Sequence, residues 1–212
     1  MADFPNLTVL VHPLVQHKLT LLRSRESGTR LFAELVDEIA ALLAYEATRD
    51  LPLETVEIET PMERMTGHRI PERKIVIVPV LRAGLGMVEG IRRVIPGVRV
   101  GHAGIYRNEE SLEPVEYYFK APAVEGGIFL VLDPMLATGG SASAAVGFLK
   151  DRGVQRIRFL TIVAAPEGVK KMLMDHPDVS ILSASLDRGL NEAGYIVPGL
   201  GDAGDRMFGT IP

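Results

Sequence analysis

The chain contains no cysteine, which removes disulfides, thiolate metal sites and cysteine nucleophiles together. It has no excess of positive charge: 23 Lys and Arg stand against 27 Asp and Glu, a formal net charge of −4. Proteins that grip nucleic acid or an anionic membrane through bulk charge want the opposite balance, although a local basic patch needs no overall excess. No apolar run approaches the roughly 18 residues of a membrane span. The N-terminus lacks a basic segment followed by a long apolar stretch, so it does not read as a secretory signal. These absences predict a soluble, cytoplasmic protein with neither a nucleic-acid nor a membrane partner. The histidines (His12, His17, His68, His102 and His176) form no spaced zinc-ligand set. Ser141 and Ser143 lack the Gly-x-Ser-x-Gly of a nucleophile elbow, which speaks against a hydrolase triad.

What remains is a chain of 212 residues, 47% of them hydrophobic. That suits one α/β domain, and such a chain buries roughly 70% of its unfolded surface. The pattern along it alternates. Leu14 to Leu22 reads as a short helix. Ser27 to Arg49 reads as a long one, with Leu31, Leu35, Ile39, Leu42 and Leu43 as its apolar stripe and Ser27 as its cap. Thr55 to Thr60 alternates with period two, as a half-exposed strand does. Met62 to Arg73 is polar and reads as irregular. Apolar strands follow at 75–80, 98–105, 128–132, 157–165 and 179–184, with helices at 86–95, 141–152 and 166–175 between them. Continuous β-branched runs such as Ile75 to Val80 mark strands buried on both faces. Arg107 to Lys120 is acidic and aromatic and suits a projecting hairpin. From Asp187 onward glycine and proline predict loops with little regular structure.

Strands alternating with helices imply an α/β fold with a central five-stranded parallel sheet, joined by right-handed crossovers. Ligands of such sheets sit beyond the carboxyl ends of the strands. That rule selects the loops at 81–86, 106–110, 133–141 and 185–205.

The most informative of these runs from Asp133 to Ser141. A buried strand ends in one acid, then Ala137-Thr138-Gly139-Gly140-Ser141 leads into a helix. Glycines let backbone N–H groups approach an anion, the hydroxyls add donors, and the helix start adds positive potential. The stretch is neither Gly-x-x-x-x-Gly-Lys-[Ser/Thr] nor Gly-x-Gly-x-x-Gly, so the usual nucleotide loops are disfavoured. A plain strand-to-helix turn is the competing reading, and Asp133 with the hydroxyl-bearing loop favours a phosphorylated ligand. In loop 81–86, Arg82 offers a guanidinium fork between glycine-rich backbone, suited to phosphate or pyrophosphate; a structural salt bridge is the alternative. Arg107 is placed to add a second cation. Glu109 and Glu110 read as a solvated face. In the tail, Gly194 to Asp205 suggests either a tight surface loop or a backbone-lined pocket for a flat polar ligand. Asp202 and Asp205 are candidates to hold a metal-bound water or a proton.

Taken together these stretches resemble the type I phosphoribosyltransferase family. Asp133-Pro134-Met135-Leu136-Ala137-Thr138-Gly139-Gly140-Ser141 is similar to its phosphoribosyl-pyrophosphate (PRPP) motif, Leu81 to Met87 to its pyrophosphate loop, and Tyr106 to Glu110 to its flexible-arm motif. Gly194 to Asp205 is similar to the base loop of the uracil branch, and His12-Pro13-Leu14 and Tyr45-Glu46-Ala47 also fit. The wider family usually carries two adjacent acids where this chain has Asp133-Pro134, a difference that also points to the uracil branch.

The resemblance implies that fold, as a single domain over 1–212 with a core at about 70–185, a small hood from the N-terminal segment and 186–212, and a projecting β-arm. It implies transfer of the phosphoribosyl group of PRPP to N1 of uracil, yielding UMP and pyrophosphate in pyrimidine salvage, with Mg²⁺ carried by PRPP. It assigns PRPP contacts to Arg82, Arg107, Asp133, Pro134, Met135, Leu136, Ala137, Thr138, Gly139, Gly140, Ser141 and Asp202. Uracil contacts fall to Ile196, Gly201, Asp202 and Ala203, and catalytic roles to Asp133, Arg107 and Asp202. It also implies a homo-oligomer, dimer or tetramer, and a GTP activator. Two other readings use the same fold: an RNA-binding regulator, which wants a basic face that a charge of −4 does not favour, and a non-catalytic nucleotide sensor, which has no need of both Arg82 and Arg107.

Overall fold

Ile75 to Val80 is apolar at every position because both faces of its strand are covered, and all six residues are buried. Alternate residues go to opposite sides, as the period of a strand requires. Ile75 and Ile77 join one hydrophobic cluster and Val76 and Val78 the other. In the computed structural model, which describes residues 4–107 and 114–210, this strand lies in the middle of the principal sheet.

In chain order the elements are β1 (Leu7–Val9), α1 (Pro13–Arg23), α2 (Thr29–Ala47), β2 (Glu54–Glu59), β3 (Arg64–Arg69), β4 (Ile75–Leu81), α3 (Val88–Val94), β5 (Arg99–Val100), β6 (His102–Arg107) and β7 (Pro114–Lys120). Then come β8 (Ile128–Leu132), β9 (Met135–Leu136), α4 (Gly140–Asp151), β10 (Arg156–Ala164), α5 (Pro166–Asp175), β11 (Ser180–Leu186), β12 (Gly189–Leu190), β13 (Ile196–Val197) and α6 (Ala203–Phe208).

The principal sheet runs β1-β11-β10-β8-β4-β6-β7, with β5 also on β4 and β9 on β10. Every pairing in it is parallel except β6 with β7. The five strands expected from the apolar runs are all present. The strand expected over 98–105 is divided at Gly101, whose amide bonds the Ile77 carbonyl at 2.8 Å. The sheet is extended at one edge by Leu7–Val9 and at the other by the antiparallel Pro114–Lys120. Helices α1, α2, α3 and α6 cover one face, and α4 and α5 the other.

Four details differ from the sequence expectations. Ser27 does not cap α2. Gly28 occupies that position without a side-chain bond, and the Ser27 hydroxyl bonds the Leu21 carbonyl instead. Leu31 faces solvent, while Phe32, Val36 and Ala40 complete the buried stripe with Leu35, Ile39 and Leu43. The polar stretch from Met62 to Arg73 contains β3, paired antiparallel with β2. Both strands are almost wholly exposed; β2 still shows the alternation expected of it, whereas β3 carries none. After Asp187, where loops with little regular structure were expected, the chain forms the short β12–β13 ladder and helix α6. No helix among the described residues is long and apolar enough to cross a membrane.

Candidate active site

Parallel strands send all their carboxyl ends to one edge, and four loops follow the ends of β4, β6, β8 and β11 there. The segment after β8 is held against the sheet before it opens. The Asp133 amide bonds the Leu160 carbonyl at 3.2 Å, and the Pro134 carbonyl accepts from the amides of Ile162 and Val163 at 3.1 Å each. Met135 and Leu136 pair with β10. Pro134 and Leu136 are buried and their carbonyls are bonded to the neighbouring strand, so they anchor the segment rather than offer side chains to a ligand.

From Ala137 the chain turns outward. Gly139 takes φ +82°, and a Cβ there would lie 2.9 Å from the Gly168 carbonyl oxygen, so the turn requires glycine. It starts α4 without a side-chain cap. The first amides of α4 therefore keep their hydrogen-bonding capacity beside the exposed Thr138 and Ser141. An uncapped helix start flanked by hydroxyls is a site for phosphate.

Asp133 stands at the entrance to this loop. Burial pushes its carboxyl up to about 7, against the pull of the Met135 amide, and the nearby charge of Asp202 adds to the rise. The Met135 amide donates to Asp133 Oδ1 at 3.2 Å. Among the described residues no cation forms an ion pair with it. Two acids brought together, one of them with no ion pair among the described residues, suit a positively charged or hydroxyl-bearing ligand.

The loops after β4 and β11 meet beside them. Arg82 Nη2 lies 3.4 Å from Asp205 Oδ1, and the Arg82 side chain is 59% exposed. Asp202 caps α6, its Oδ1 accepting from the Asp205 amide at 2.9 Å. A Cβ on Gly204 would lie 3.3 Å from Asp202 Oδ1 and 3.9 Å from Arg82 Nη2. Arg82, Asp133, Asp202 and the start of α4 are thus gathered at one sheet edge. Gly201 is exposed at φ +80°, whereas the side chains of Ile196 and Ala203 point into the core cluster. Arg107 ends β6. Asn108, Glu109 and Glu110 of the expected arm motif lie outside the described residues.

Sequence reasoning passed over Arg23, Asp187 and Arg206, which bind the back of the tail loop, and Ser185, which bonds Arg23 and Asp187. The one usable signal was Asp187, an acid just past a buried strand, the same pattern that singled out Asp133.

The family model for uracil phosphoribosyltransferase matches residues 9–210 of the chain. A uracil phosphoribosyltransferase of Bacillus thuringiensis (strain Al Hakam) is 58% identical over 205 residues, covering 96% of this chain and 98% of that relative. The structure of the AQ2163 protein from Aquifex aeolicus superposes with a TM-score of 0.91 at 39% identity, over 95% of this chain and 97% of that one. An orotate phosphoribosyltransferase of Mycobacterium tuberculosis H37Rv, at 16% identity and a TM-score of 0.52 over 91% of this chain and 99% of that one, shares the fold.

Proposed function

The chain belongs to the uracil phosphoribosyltransferase family, and from that premise we propose how its residues divide the work. The reaction is transfer of the 5-phosphoribosyl group of PRPP to N1 of uracil, giving UMP and pyrophosphate, a pentosyl transfer of pyrimidine salvage. One observation supports the division below: an uncapped helix start, two neighbouring acids and an exposed arginine share one sheet edge.

In our reading, Ala137 to Ser141 and the first amides of α4 hold the 5′-phosphate. Asp133 accepts hydrogen bonds from the ribose hydroxyls, and Pro134, Met135 and Leu136 anchor the segment that sets Asp133 and the loop in place. Arg82 and Arg107 take the pyrophosphate, whose charge grows as it departs. Ile196, Gly201, Asp202 and Ala203 present uracil, largely through peptide N–H and C=O groups. Such a frame rejects cytosine, because its amino group reverses the donor pattern and leaves buried groups unpaired. Fixing both substrates turns an encounter into a positioned reaction at the ribosyl C1 carbon, with a transition state resembling an oxocarbenium ion.

The donor set fits Mg²⁺ that arrives with PRPP. Among the described residues no group of three or more His, Cys, Asp or Glu is placed to hold a metal. Mg²⁺ commonly takes one or two carboxylates and completes its shell with phosphate oxygens and water. Asp202, beside Asp133, would supply the carboxylate. When bound, the ion neutralises charge on the leaving pyrophosphate.

We read residues 1–212 as one domain, with the core at about 70–185 and a hood from the N-terminal segment and 186–212. The continuous cluster from Val15 to Met207 supports this. We also propose a homo-oligomer, dimer or tetramer. The β2–β3 hairpin is a separate two-stranded sheet with Ile58, Met62 and Met65 exposed, and such hairpins are marginal alone. Activation by GTP rests on the family resemblance and on no feature of the described residues.

Purified protein given uracil and PRPP should form UMP with Mg²⁺ and not in its absence. Acceptance of cytosine or a purine in place of uracil would overturn this reading, and light scattering with and without GTP checks assembly.

A further inference from the structure

A buried ion pair lies behind the loop proposed to hold the base. Arg23 ends α1, and Asp187 follows β11, 164 residues further along the chain. Arg23 Nη1 and Nη2 meet Asp187 Oδ2 and Oδ1 at 2.7 and 2.5 Å. The Ser185 hydroxyl donates to Oδ1 at 2.7 Å and accepts from Nη2 at 3.1 Å. The Asp187 side chain is 2% exposed. Burial alone would raise its carboxyl, but Arg23, Ser185 and the Gly199 amide together hold it below the usual carboxylate range.

The pair is closed by Gly199, and by both of its peptide groups. Its amide donates to Asp187 Oδ2 at 2.8 Å, and its carbonyl accepts from Arg23 Nη1 at 2.6 Å. Gly199 takes φ +63°, and a side chain there would collide with the Ile196 carbonyl oxygen. The next carbonyl, of Leu200, accepts from Arg206 Nη1 at 2.7 Å, and Arg206 Nη2 bonds the Ser24 carbonyl at 2.6 Å. The turn after α1 therefore fixes residues 199 and 200, which lie between Ile196 and the Gly201–Ala203 segment.

A glycine-rich loop loses more conformational freedom on ordering than other chain. Uracil is small, and a small ligand has little interaction energy from which to order a loop. The ordering must therefore be done before the base arrives. We propose that Arg23 and Asp187 are positioning residues for base recognition, clamping Gly199 so that the loop from Ile196 to Ala203 is set before uracil binds. The proposal rests on the assignment of that loop to the base. It predicts that loosening the clamp affects uracil far more than PRPP, most of whose contacts lie on other loops and which meets this one through Asp202, a residue held separately as the cap of α6.

The test is steady-state kinetics with each substrate varied, on wild type, Arg23→Lys, Ser185→Ala, Asp187→Asn and Gly201→Ala, each shown by thermal melting to be folded. Arg23→Lys and Asp187→Asn should raise KM for uracil about tenfold and leave KM for PRPP within about twofold; Ser185→Ala should raise it about threefold. The preference for uracil over cytosine should fall in step. Should Asp187→Asn not fold, the other two clamp variants decide the matter. Unchanged uracil KM in folded Arg23→Lys and Ser185→Ala, or equal rises in both KM values, overturns the clamp. Gly201→Ala separates the two layers: if it leaves uracil KM unchanged, the base-loop assignment falls and the clamp with it. If it raises uracil KM while the clamp variants do not, the clamp alone falls.

Discussion

Two aspartates follow buried strands at the same edge of the same sheet, and their surroundings differ. Asp187 has a bidentate arginine, a serine hydroxyl and a backbone amide. Asp133 has one amide at 3.2 Å and a neighbouring acid. The first is held below the usual carboxylate range and the second is raised to about 7. A buried charge that the protein itself satisfies serves the fold. A half-buried acid left with one amide carries a free-energy cost, retained where a ligand supplies the missing partner. The two environments thus separate a residue that shapes the site from one that meets the substrate.

Mutations should break this comparison in opposite directions. The largest effect belongs to Arg82→Ala. Its cation is more than half exposed, and among the described residues its one ion pair is the 3.4 Å contact with Asp205. Removing it should lower kcat/KM for PRPP by about 10²–10³-fold with little change in melting temperature, measured by steady-state kinetics beside calorimetry. Asp187→Ala should behave in reverse. It strands Arg23 and the Gly199 amide, so denaturant unfolding should show a loss of about 3–5 kcal/mol, or roughly 6–20 °C in melting temperature.

Asp133→Asn should sharpen the contrast. The Asn oxygen can still accept from Met135, and the unpaired charge is gone. Stability at pH 8 should therefore stay level or rise by about 1 kcal/mol, while KM for PRPP rises about 10–100-fold. A fall in both would place Asp133 with the structural acids. The smallest effect is on pH dependence. A carboxyl with a raised folded-state pKa contributes stability that is complete below its ordinary range and is lost as pH rises through about 7. Ligand-free wild type should therefore lose stability relative to Asp133→Asn between about pH 5 and pH 8, read as the difference in their melting temperatures.

How much of this was legible in the sequence depends on what each segment buries. Ile75–Leu81, Ile128–Leu132 and Arg156–Ala164 are covered on both faces, so their composition alone marks them as strands. The β3 strand buries almost nothing, and Arg64-Met65-Thr66-Gly67-His68-Arg69 carries no period to read. Helix α6 is six residues long and begins Ala203-Gly204, too short for a stripe and with a poor helix former inside. In the site, the phosphate loop was legible because its glycines and hydroxyls are contiguous. The Arg23–Asp187 clamp was not, because its members lie 164 residues apart and its third party is backbone. Leu136 shows the converse: a residue inside a recognisable motif whose side chain is 1% exposed and belongs to the core.

The central claim, that Asp133 is left for the substrate to ionise and satisfy, is tested most directly by counting protons when Mg²⁺–PRPP binds. Titration calorimetry in two buffers of different ionisation enthalpy, on wild type and Asp133→Asn, isolates this one group. The account predicts that wild type releases up to about one more proton than the variant near pH 6, a difference that vanishes towards about pH 9. Equal proton release by the two proteins across that range would contradict it.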